Sequence, residues 1–353
     1  MIHLVPQILS FKNKSELYSF IKTHKISKKN IYDYWKMLHK EKFLTNHPTW
    51  YFANPLVQQK EYENNISKLK NNDPVKLGSW TYHSWNNTLF HLLSKNDYLN
   101  LRTIRHRNLI TEKDQLILYK KNIALAGLSV GSNILNSFIR YGIGNHYSIA
   151  DSDSISLSNM NRALYSLNDL GKNKTDVIAN TIHTIDPYIK LKIFDKGLTI
   201  SNIEDFINGA HLIIDAFDYF PLKIALRKAA KKKKIPVISG FDVEKGVLLI
   251  VERYDIEPEL DIDFYLNDQN PLVLEQKSIE DKTQFFINII GKKYHSPELI
   301  KSVLQIGKTL TGYPQLIIAT FLAASTFTLA AEQVLLQKSK KSIRTFIPLM
   351  DYM

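Results

Sequence analysis

The 353-residue sequence contains no cysteine. A chain without cysteine has no disulfide, no four-cysteine zinc site, no thiolate nucleophile and no thioester on its own side chains. Glycine and proline are also scarce, at 13 and 12 residues, which excludes collagen-like and low-complexity disordered chains. With 44% hydrophobic residues the chain has enough apolar material for a substantial core, and its length is typical of two domains.

One long uncharged run needs an interpretation, residues 313–331, with the sequence YPQLIIATFLAASTFTLAA. Its length is close to that of a membrane span. Pro314, Gln315 and several hydroxyl side chains interrupt its apolar character. We therefore predict a buried core helix here, and we expect no membrane association.

Acidic residues are outnumbered, with 34 Asp and Glu against 46 Lys and Arg, so the net charge is +12. Such an excess favours acidic partners, including nucleotides, RNA and anionic surfaces. The alternative is that the extra lysines are solvated surface residues without a partner. The first residues, MIHLVPQILSFKNK, carry no basic segment before an apolar stretch. We therefore predict no secretory signal and expect a cytoplasmic protein.

The composition of the chain changes near residue 100, because all four tryptophans precede that point. Residues 1–100 have helical periodicity and no catalytic constellation. We predict that they form a smaller, mainly helical N-terminal domain with an accessory or recognition role. Residues 101–353 form the second predicted domain.

From residue 121 onwards, short apolar strands alternate with helical patterns. Strands are predicted at 122–127, 146–151, 189–194, 210–218, 235–241 and 246–254, and helices at 132–141, 174–184 and 220–233. This alternation predicts an α/β fold with a doubly wound, mostly parallel Rossmann-like sheet and helices on both faces. Ligands bind such sheets at the carboxyl ends of the strands.

A glycine-containing turn, GLSVGS at 127–132, follows the first of these strands. Gly127 and Gly131 would let the backbone approach a phosphate, and the helix that begins here would direct N–H groups at it. Asp151 ends the second strand, where Rossmann-type sites place the carboxylate that accepts ribose hydroxyls. Ser129 stands where a second glycine is usual, and a tight turn in any α/β protein has the same appearance.

Four polar residues follow the predicted strands: Asn159, Arg162, Lys174 and Asp218. Hydride transfer gains nothing from such a cluster. Nucleotidyl transfer does, because charge develops on the α-phosphoryl and pyrophosphate oxygens, and fixed Arg, Lys and Mg²⁺ stabilise it. The alternative interpretation treats Arg162 and Lys174 as ordinary surface charges.

Other polar residues receive local interpretations. We interpret Asp153 as a turn or capping residue, and Asp215 as an acceptor of backbone N–H groups at a strand end. The histidines show no metal-ligand spacing, and we interpret His83 and His91 as core or surface residues.

Residues 121–255 resemble the ThiF/MoeB/HesA family of adenylating enzymes, which are bacterial relatives of ubiquitin-activating enzymes. The segments that carry the resemblance are GLSVGS, IADSDSISLSNMNR, LGKNK, DAFD and IPVISGFDVEKG. The upstream segment RTIRHRNLITEKDQLIL resembles the arginine-containing lead-in to the family's first strand. The resemblance implies that residues 101–353 form an ATP-binding adenylation domain.

The resemblance also implies roles for individual residues. Those implied to bind ATP are Asp151 at the ribose, Gly127, Ser129 and Gly131 at the phosphates, and Asn159 and Arg162 along the phosphate chain. Lys174 would lie at the α-phosphate, and Asp218 would bind Mg²⁺. Arg105 or Arg107 would reach the ATP of a partner subunit in a homodimer.

The activity implied by the resemblance is ATP- and Mg²⁺-dependent adenylation of a carboxylate with release of pyrophosphate. The expected substrate is the C-terminus of a ubiquitin-like protein or peptide. The family's four-cysteine zinc site is missing, so we expect no zinc, and the activated product must leave as an acyl-adenylate or react with an external nucleophile. Two alternatives stay open: an enzyme resembling the one that cyclises threonylcarbamoyladenosine on tRNA, and a non-catalytic nucleotide-binding scaffold.

Overall fold

A computed structural model describes residues 5–69, 73–266, 269 and 278–349. The chain divides into two compact units. The first unit comprises Met1–Glu112 and Ala179–Tyr188, and the second comprises Lys113–Ile178 and Ile189–Met353.

This division differs from the predicted boundary at residue 100. In the first unit, the Tyr98 hydroxyl donates a hydrogen bond of 2.9 Å to the carbonyl of Ile185, and Arg102 pairs with the buried Asp186 at 3.1 Å. These bonds join residues 84 to 87 positions apart in the sequence. Composition along the chain carries no information about such pairings, so the predicted boundary missed them.

The first unit combines helices with a small sheet. Its elements are β1 (Gln7–Leu9), α1 (Lys14–Thr23), β2 (Ile31–Asp33), α2 (Trp35–Asn46), α3 (Pro48–Tyr51), α4 (Pro55–Ser67), β3 (Ser79–His83), β4 (Thr88–Leu92) and α5 (Lys95–Arg102). The sheet has the order β1-β3-β4-β2, and β2 pairs with β4 in parallel. Helices hold more residues than strands, as predicted, but the sequence interpretation missed the sheet, because strands of three to five residues are too short to show clear periodicity.

The second unit is built on a seven-stranded sheet. Its elements begin with α6 (Glu112–Tyr119), β5 (Asn122–Ala126), α7 (Val130–Tyr141), β6 (His146–Ala150), α8 (Lys174–Ile185), β7 (Lys190–Phe194), α9 (Ile203–Phe206) and β8 (Leu212–Asp215). They continue with α10 (Phe220–Lys233), β9 (Val237–Val243), β10 (Gly246–Glu252), α11 (Asp263–Leu266), α12 (Ile279–Ile290), α13 (Pro297–Val303), α14 (Ile317–Leu335) and β11 (Ile343–Pro348). Glu112, the first residue of α6, and the part of α8 from Ala179 onwards belong to the first unit.

The strand order of this sheet is β11-β10-β9-β8-β5-β6-β7. The five strands from β9 to β7 run parallel, while β10 pairs antiparallel with both of its neighbours. The predicted mostly parallel α/β sheet is therefore confirmed. The chain leaves β5 towards β6 on one side and reaches β8 on the other, so the ends of β5 and β8 form the switch point where ligands bind in such sheets.

Local sequence explains most of the elements around this point. Helix α7 ends at Gly142, whose φ of 77° is in the left-handed region that favours glycine. Helix α10 occupies the predicted residues Phe220–Lys233. The sequence interpretation named neither helices α11 to α13 nor strand β11, which pairs along nearly the whole of β10.

Helix α14 contains most of the long uncharged run. It is the one helix in the described part of the chain whose length and apolar composition would allow it to cross a membrane. Half of its most apolar stretch of 18 residues is buried, because the helix packs on α7, β9 and β10. One face is therefore buried, as predicted, but the opposite face exposes Phe321 (46%) and Leu329 (59%).

Candidate functional site

A cavity of about 500 Å³ opens at the carboxyl ends of β5, β8 and β9 in the second unit. Six polar residues that follow the strands or begin the next helix line part of it: Ser129, Asp153, Asn159, Arg162, Lys174 and Asp218. We call this set the phosphate end. Five of its six members are residues that the sequence resemblance assigned to ATP or Mg²⁺.

The two glycines of the turn after β5 make room for the loop that follows β8. Gly127 has a φ of 88°, and a Cβ there would lie 2.2 Å from the carbonyl oxygen of Ala216. A Cβ at Gly131 would lie 3.0 Å from Leu125 and 3.4 Å from the Ala216 side chain. Both glycines thus allow close packing of α7 and β5 against the loop after β8. Their contact with phosphates stays a prediction.

Ser129 precedes α7 without capping it. Its side chain makes no capping bond, and its buried hydroxyl oxygen has no hydrogen-bond partner within the described residues. Ser129 and Val130 line the cavity, so the N-terminus of the twelve-residue helix faces the phosphate end. A helix N-terminus beside an unpaired hydroxyl donor is suited to an anion.

Asp151 supports the glycine turn. One carboxylate oxygen accepts the backbone N–H of Leu128 at 2.7 Å, and the other accepts that of Asp153 at 2.8 Å. Asp151 is not among the residues that line the cavity. In this structure it orders the loop, and its predicted bond to a ribose is untested.

Lys174 is the first residue of α8 and is only 4% exposed. Its Nζ lies 2.7 Å from Asp153 and 3.8 Å from Asp151. The interpretation of Lys174 as a surface charge is therefore wrong. Asp153 is more than a turn residue, since it also lines the cavity and holds this ammonium. No sign of this pair was visible in the sequence, because Asp153 and Lys174 are twenty-one positions apart in the chain.

Asn159 and Arg162 come from the loop after β6. The side-chain oxygen of Asn159 accepts the Ser156 backbone N–H at 3.0 Å, which leaves its amide nitrogen available at the cavity wall. The Arg162 guanidinium donates to the Ser158 carbonyl at 2.7 Å and to Asn161 at 2.9 Å. Its buried Nε has no partner in the described part of the chain. Both side chains thus retain donors suited to an anion.

Asp218 follows β8 and remains open to the cavity, with no hydrogen bond or ion pair to the described residues. Loss of solvation in this recess raises the pKa of its carboxyl, and Asp215 adds to that effect, while Lys223, Lys174 and Arg162 oppose it. Asp242 in β9 also lines the cavity, and its pKa is raised by loss of solvation and by Asp218.

Asp215 has a different role from the one the sequence suggested. It is fully buried, and its two oxygens lie 2.7 Å from Lys223 and 2.7 Å from Arg227. Arg227 also pairs with the buried Glu252 at 2.9 Å. Tyr254 donates to Glu252 at 2.6 Å. The interpretation of Asp215 as an acceptor of backbone N–H groups is therefore wrong, because two cations of α10 occupy its oxygens.

At Asp215, the attraction of the two cations outweighs the cost of burying the carboxylate. At Glu252 burial has the larger effect and raises the pKa of the carboxyl. Burial alone would raise the pKa of Asp215, but Lys223 and Arg227 lower it below its ordinary value. Asp215, Lys223, Arg227 and Glu252 are each at most 3% exposed. We call these four residues the buried ion cluster. The ion pairs of this cluster anchor α10 at the cavity, whose wall includes Asp215 and Lys223.

Arg105 and Arg107 belong to the first unit. Arg105 lies in a short 3₁₀ turn, Ile104–His106, and Arg107 follows it and lies 3.7 Å from Glu112. Neither is among the residues that line the cavity. The prediction that one of them reaches the ATP of a partner subunit is untested.

The carboxylates of the cavity are compatible with Mg²⁺. Mg²⁺ is commonly held by one or two carboxylates together with substrate phosphates and water. Asp218 offers a carboxylate that no described residue pairs with, and Asp242 is its electrostatic neighbour. Among the residues that the structure describes, no group of three or more His, Asp or Glu side chains could hold an ion alone. Phosphate oxygens would have to complete the coordination.

Comparison with known proteins agrees with the sequence resemblance. The chain is 30% identical over 257 residues to an uncharacterized protein of Mycobacterium tuberculosis (strain CDC 1551 / Oshkosh), covering 72% of this chain and 36% of that one. It is 33% identical over 125 residues to the tRNA threonylcarbamoyladenosine dehydratase of Haemophilus influenzae, covering 35% and 48%. It is 25% identical over 157 residues to ubiquitin-like modifier-activating enzyme 5 of Drosophila erecta, covering 41% and 38%.

The chain thus spans between about a third and a half of the length of these curated relatives. The family model described as the ThiF family matches residues 102–342, which is more than half of the chain. The match includes every element from α6 to α14 and all six polar residues of the phosphate end. The chain belongs to the ThiF family.

Proposed function

We propose that this protein adenylates a carboxylate at the expense of ATP and releases pyrophosphate. One observation carries the proposal: the phosphate end combines a helix N-terminus, the ammonium of Lys174, the open carboxylate of Asp218, and donors on Ser129 and Arg162 that no described residue pairs with. Fixed cations and N–H donors around an anion site are what phosphoryl and nucleotidyl transfer require. The family membership supports the same activity.

The proposed reaction has a simple balance. A carboxylate oxygen of the substrate forms a bond to the α-phosphorus of ATP. The bond from that phosphorus to the oxygen bridging to the β-phosphate breaks, and pyrophosphate leaves with the bonding electrons. Arg162 and Lys174 stabilise the charge on the transferring group, while Asp153 holds Lys174 in position. Asp218 would hold Mg²⁺, which when bound neutralises charge on the phosphates.

The chain's lack of cysteine decides where the product goes. No side-chain thiol is available to accept the activated acyl group as a thioester. The acyl-adenylate therefore reacts with an external nucleophile or leaves the site. We propose the C-terminus of a small protein or peptide as the substrate, a choice supported by the relative named ubiquitin-like modifier-activating enzyme 5.

A tRNA substrate is the second candidate. Two observations favour it: the similarity to a tRNA threonylcarbamoyladenosine dehydratase and the net charge of +12. Binding of tRNA with a steep dependence on salt would support this candidate, because phosphate contacts release counterions. Affinity for bulk tRNA that is weak and independent of salt would argue for the peptide substrate.

Pyrophosphate exchange tests the activity itself. The purified protein is incubated with ATP, Mg²⁺, labelled pyrophosphate and a panel of carboxylate substrates. We expect label to enter ATP when a competent carboxylate is present, and EDTA to abolish the exchange. ATP binding without exchange for any peptide or tRNA in the panel would instead support a non-catalytic scaffold.

We also propose that the protein acts as a homodimer. The exposed apolar face of α14, which includes Phe321 and Leu329, supports this assembly, as does the family resemblance. Phe321→Lys should give monomers by light scattering.

If Arg105 or Arg107 acts in the partner's site, an inactive Arg variant mixed with Asp218→Asn should regain part of the activity. No recovery after proven subunit exchange would exclude that role.

A further inference from the structure

Part of the cavity wall is apolar and belongs to elements that the sequence interpretation did not assign to any function. Six side chains form its wall: Phe286, Ile287, Ile290, Val303, Ile306 and Phe327. We call this region the apolar arm. The first three come from α12, and the ring of Phe327 lies 3.2 Å from a Cβ built at Gly240 in β9. The arm therefore lies beside β9 and is continuous with the phosphate end.

Two polar groups of the cavity wall lack partners within the described part of the chain. The ring nitrogen Nε2 of His295 is buried without a hydrogen bond within the described residues, and the residue is only 8% exposed. Its Nδ1 lies 3.2 Å from the carbonyl oxygen of Gly291, so in the neutral ring Nδ1 donates and Nε2 is left as an acceptor. The Tyr313 hydroxyl is also buried without a partner among the described residues. Both residues line the cavity.

Unpaired buried polar atoms are costly to a fold, and they are commonly satisfied by a ligand or water. Burial lowers the pKa of His295, which favours the neutral ring. Tyr313 lies within electrostatic range of Asp242 and Glu244, and Glu244 also influences His295. The two groups thus share Glu244 as an acidic neighbour, and both line the cavity.

The order of the strands separates the apolar arm from the nucleotide side. Asp151 follows β6, Ser129 follows β5, Asp218 follows β8, and Asp242 lies in β9, in the sheet order β6-β5-β8-β9. A ribose at Asp151 and phosphates at the β5 and β8 ends leave the β9 side for the group that attacks the α-phosphorus. The apolar arm is on that side.

We infer that the apolar arm binds the apolar side chain next to the reacting carboxylate, and that His295 and Tyr313 hydrogen-bond to polar groups beside it. The inference rests on the proposed adenylation. The substrate class is a carboxylic acid whose carboxyl-bearing residue is apolar. Such chemistry is supplied by the last residue of a peptide or by a free apolar amino acid, and the experiment separates these two sources.

The test measures binding, so that it does not depend on turnover. The full-length protein is titrated calorimetrically in the presence of Mg²⁺ and a non-hydrolysable ATP analogue. The probes are the tripeptides Gly-Gly-Phe, Gly-Gly-Leu, Gly-Gly-Gly and Gly-Gly-Asp, and free phenylalanine. Gly-Gly-Phe and Gly-Gly-Leu should bind about tenfold or more tighter than Gly-Gly-Gly, because they bury an apolar side chain. Free phenylalanine binding as tightly would identify the amino acid as the source.

Two pairs of variants place the effect in the apolar arm. Phe286→Ala should remove most of the preference for apolar peptides, whereas Phe285→Ala should keep it, because Phe285 is a core residue outside the cavity. Tyr313→Phe removes one hydroxyl and should weaken Gly-Gly-Phe by about threefold to tenfold. Tyr294→Phe is its control, since Tyr294 stacks on Phe346 and does not line the cavity.

The outcomes separate the two proposals. Equal affinity for all probes, absence of binding by all of them, or a preference unchanged in both Phe286→Ala and Tyr313→Phe overturns the inference. Preferential binding of the apolar probes without any pyrophosphate exchange overturns the proposed adenylation but leaves the apolar arm supported. If Phe286→Ala does not fold, Tyr313→Phe decides the result, because it deletes a single atom.

Discussion

Two carboxylates three residues apart behave in opposite ways. Asp215, at the end of β8, is buried and pairs with Lys223 and Arg227 at 2.7 Å each. Asp218 lies in the loop that follows and makes no ion pair within the described residues, although cations surround it. The pKa of Asp215 is lowered below its ordinary value, whereas that of Asp218 is raised.

The difference separates charges that hold the fold together from charges kept for a ligand. In the buried ion cluster, both oxygens of Asp215 are engaged by cations. At the phosphate end, Ser129 and Arg162 keep donors that are unpaired among the described residues, and Asp218 keeps an open carboxylate. Polar groups without partners lower the free energy of unfolding, and a nucleotide that bound to these groups would raise it again.

Replacing Asp218 should have the largest effect on activity. Asp218→Asn should abolish detectable pyrophosphate release while ATP binding stays measurable, because the change removes the carboxylate proposed to hold Mg²⁺. Exchange of labelled pyrophosphate and calorimetric ATP binding check the two halves of this expectation. Turnover like that of the wild type would remove Asp218 from the site.

Replacing Asp215 should act on stability instead. Asp215→Asn leaves the buried Lys223 and Arg227 without their shared counter-charge, and breaking such a pair costs about 3–5 kcal/mol of the free energy of unfolding. Urea denaturation of the ligand-free protein measures this cost. Equal stability of Asp215→Asn and the wild type would mean that the buried ion cluster does not anchor α10.

The two cations of the phosphate end should differ in their effect on folding. Arg162→Ala and Lys174→Ala should each reduce the rate by about 10²–10³, the usual cost of losing one preorganised donor. Lys174→Ala should also lower the thermal midpoint, because it strips the buried partner from Asp151 and Asp153. Arg162→Ala should change the midpoint less, since Arg162 is only partly buried and forms no ion pair with the described residues.

The control for these two variants is Lys232→Ala, at the exposed end of α10. It should change neither the rate nor the midpoint. A residue whose replacement keeps more than about a tenth of the activity belongs to the surface and not to the reaction.

The smallest expected effect is a dependence of stability on pH. Because the pKa of Asp218 is raised in the folded protein, its ionisation opposes folding once the pH rises above the ordinary value of 3.8. Asp218→Asn should therefore be slightly more stable than the wild type at neutral pH, and the difference should vanish below 3.8. Asp215 has the opposite sign, because its lowered pKa supplies stability that is lost as the pH falls below 3.8.

Urea denaturation of ligand-free wild type and Asp218→Asn between acidic and neutral pH measures this effect. A difference that grows towards acid would contradict the expected sign. It would mean that the cations around Asp218 stabilise its carboxylate more than the lost solvation penalises it.

Most of the second unit was predictable because its signals are local. The strands β5, β6, β7, β8, β9 and β10 and the helices α7, α8 and α10 follow from short apolar runs, helical periodicity and stop signals. Asn159, Arg162, Lys174 and Asp218 were predicted from motifs that follow those strands, and the cavity unites all four. Their chemical roles remain predictions.

Three features were not predictable, because they depend on contacts between distant residues. Arg227 meets Glu252 twenty-five positions away, and Tyr313 approaches Asp242 from a loop seventy-one positions later. The sheet of the first unit pairs β2 with β4 across more than fifty residues. An aspartate at the end of a strand looks the same in the sequence whether its oxygens form ion pairs, as in Asp215, or remain open, as in Asp218.

The sequence by itself determined the strands from β5 to β10 and the helices α7, α8 and α10, the absence of thiol chemistry and the identity of the residues at the strand ends. These depend on composition and on periodicities of two and 3.6 residues, which are local properties of the chain. The tertiary structure alone decided that Asp215 is an anchor and Asp218 is open, that Lys174 is buried, and that an apolar arm lies beside β9. Burial and ion pairing depend on which residues the fold brings within a few ångströms, and sequence separation does not encode that distance.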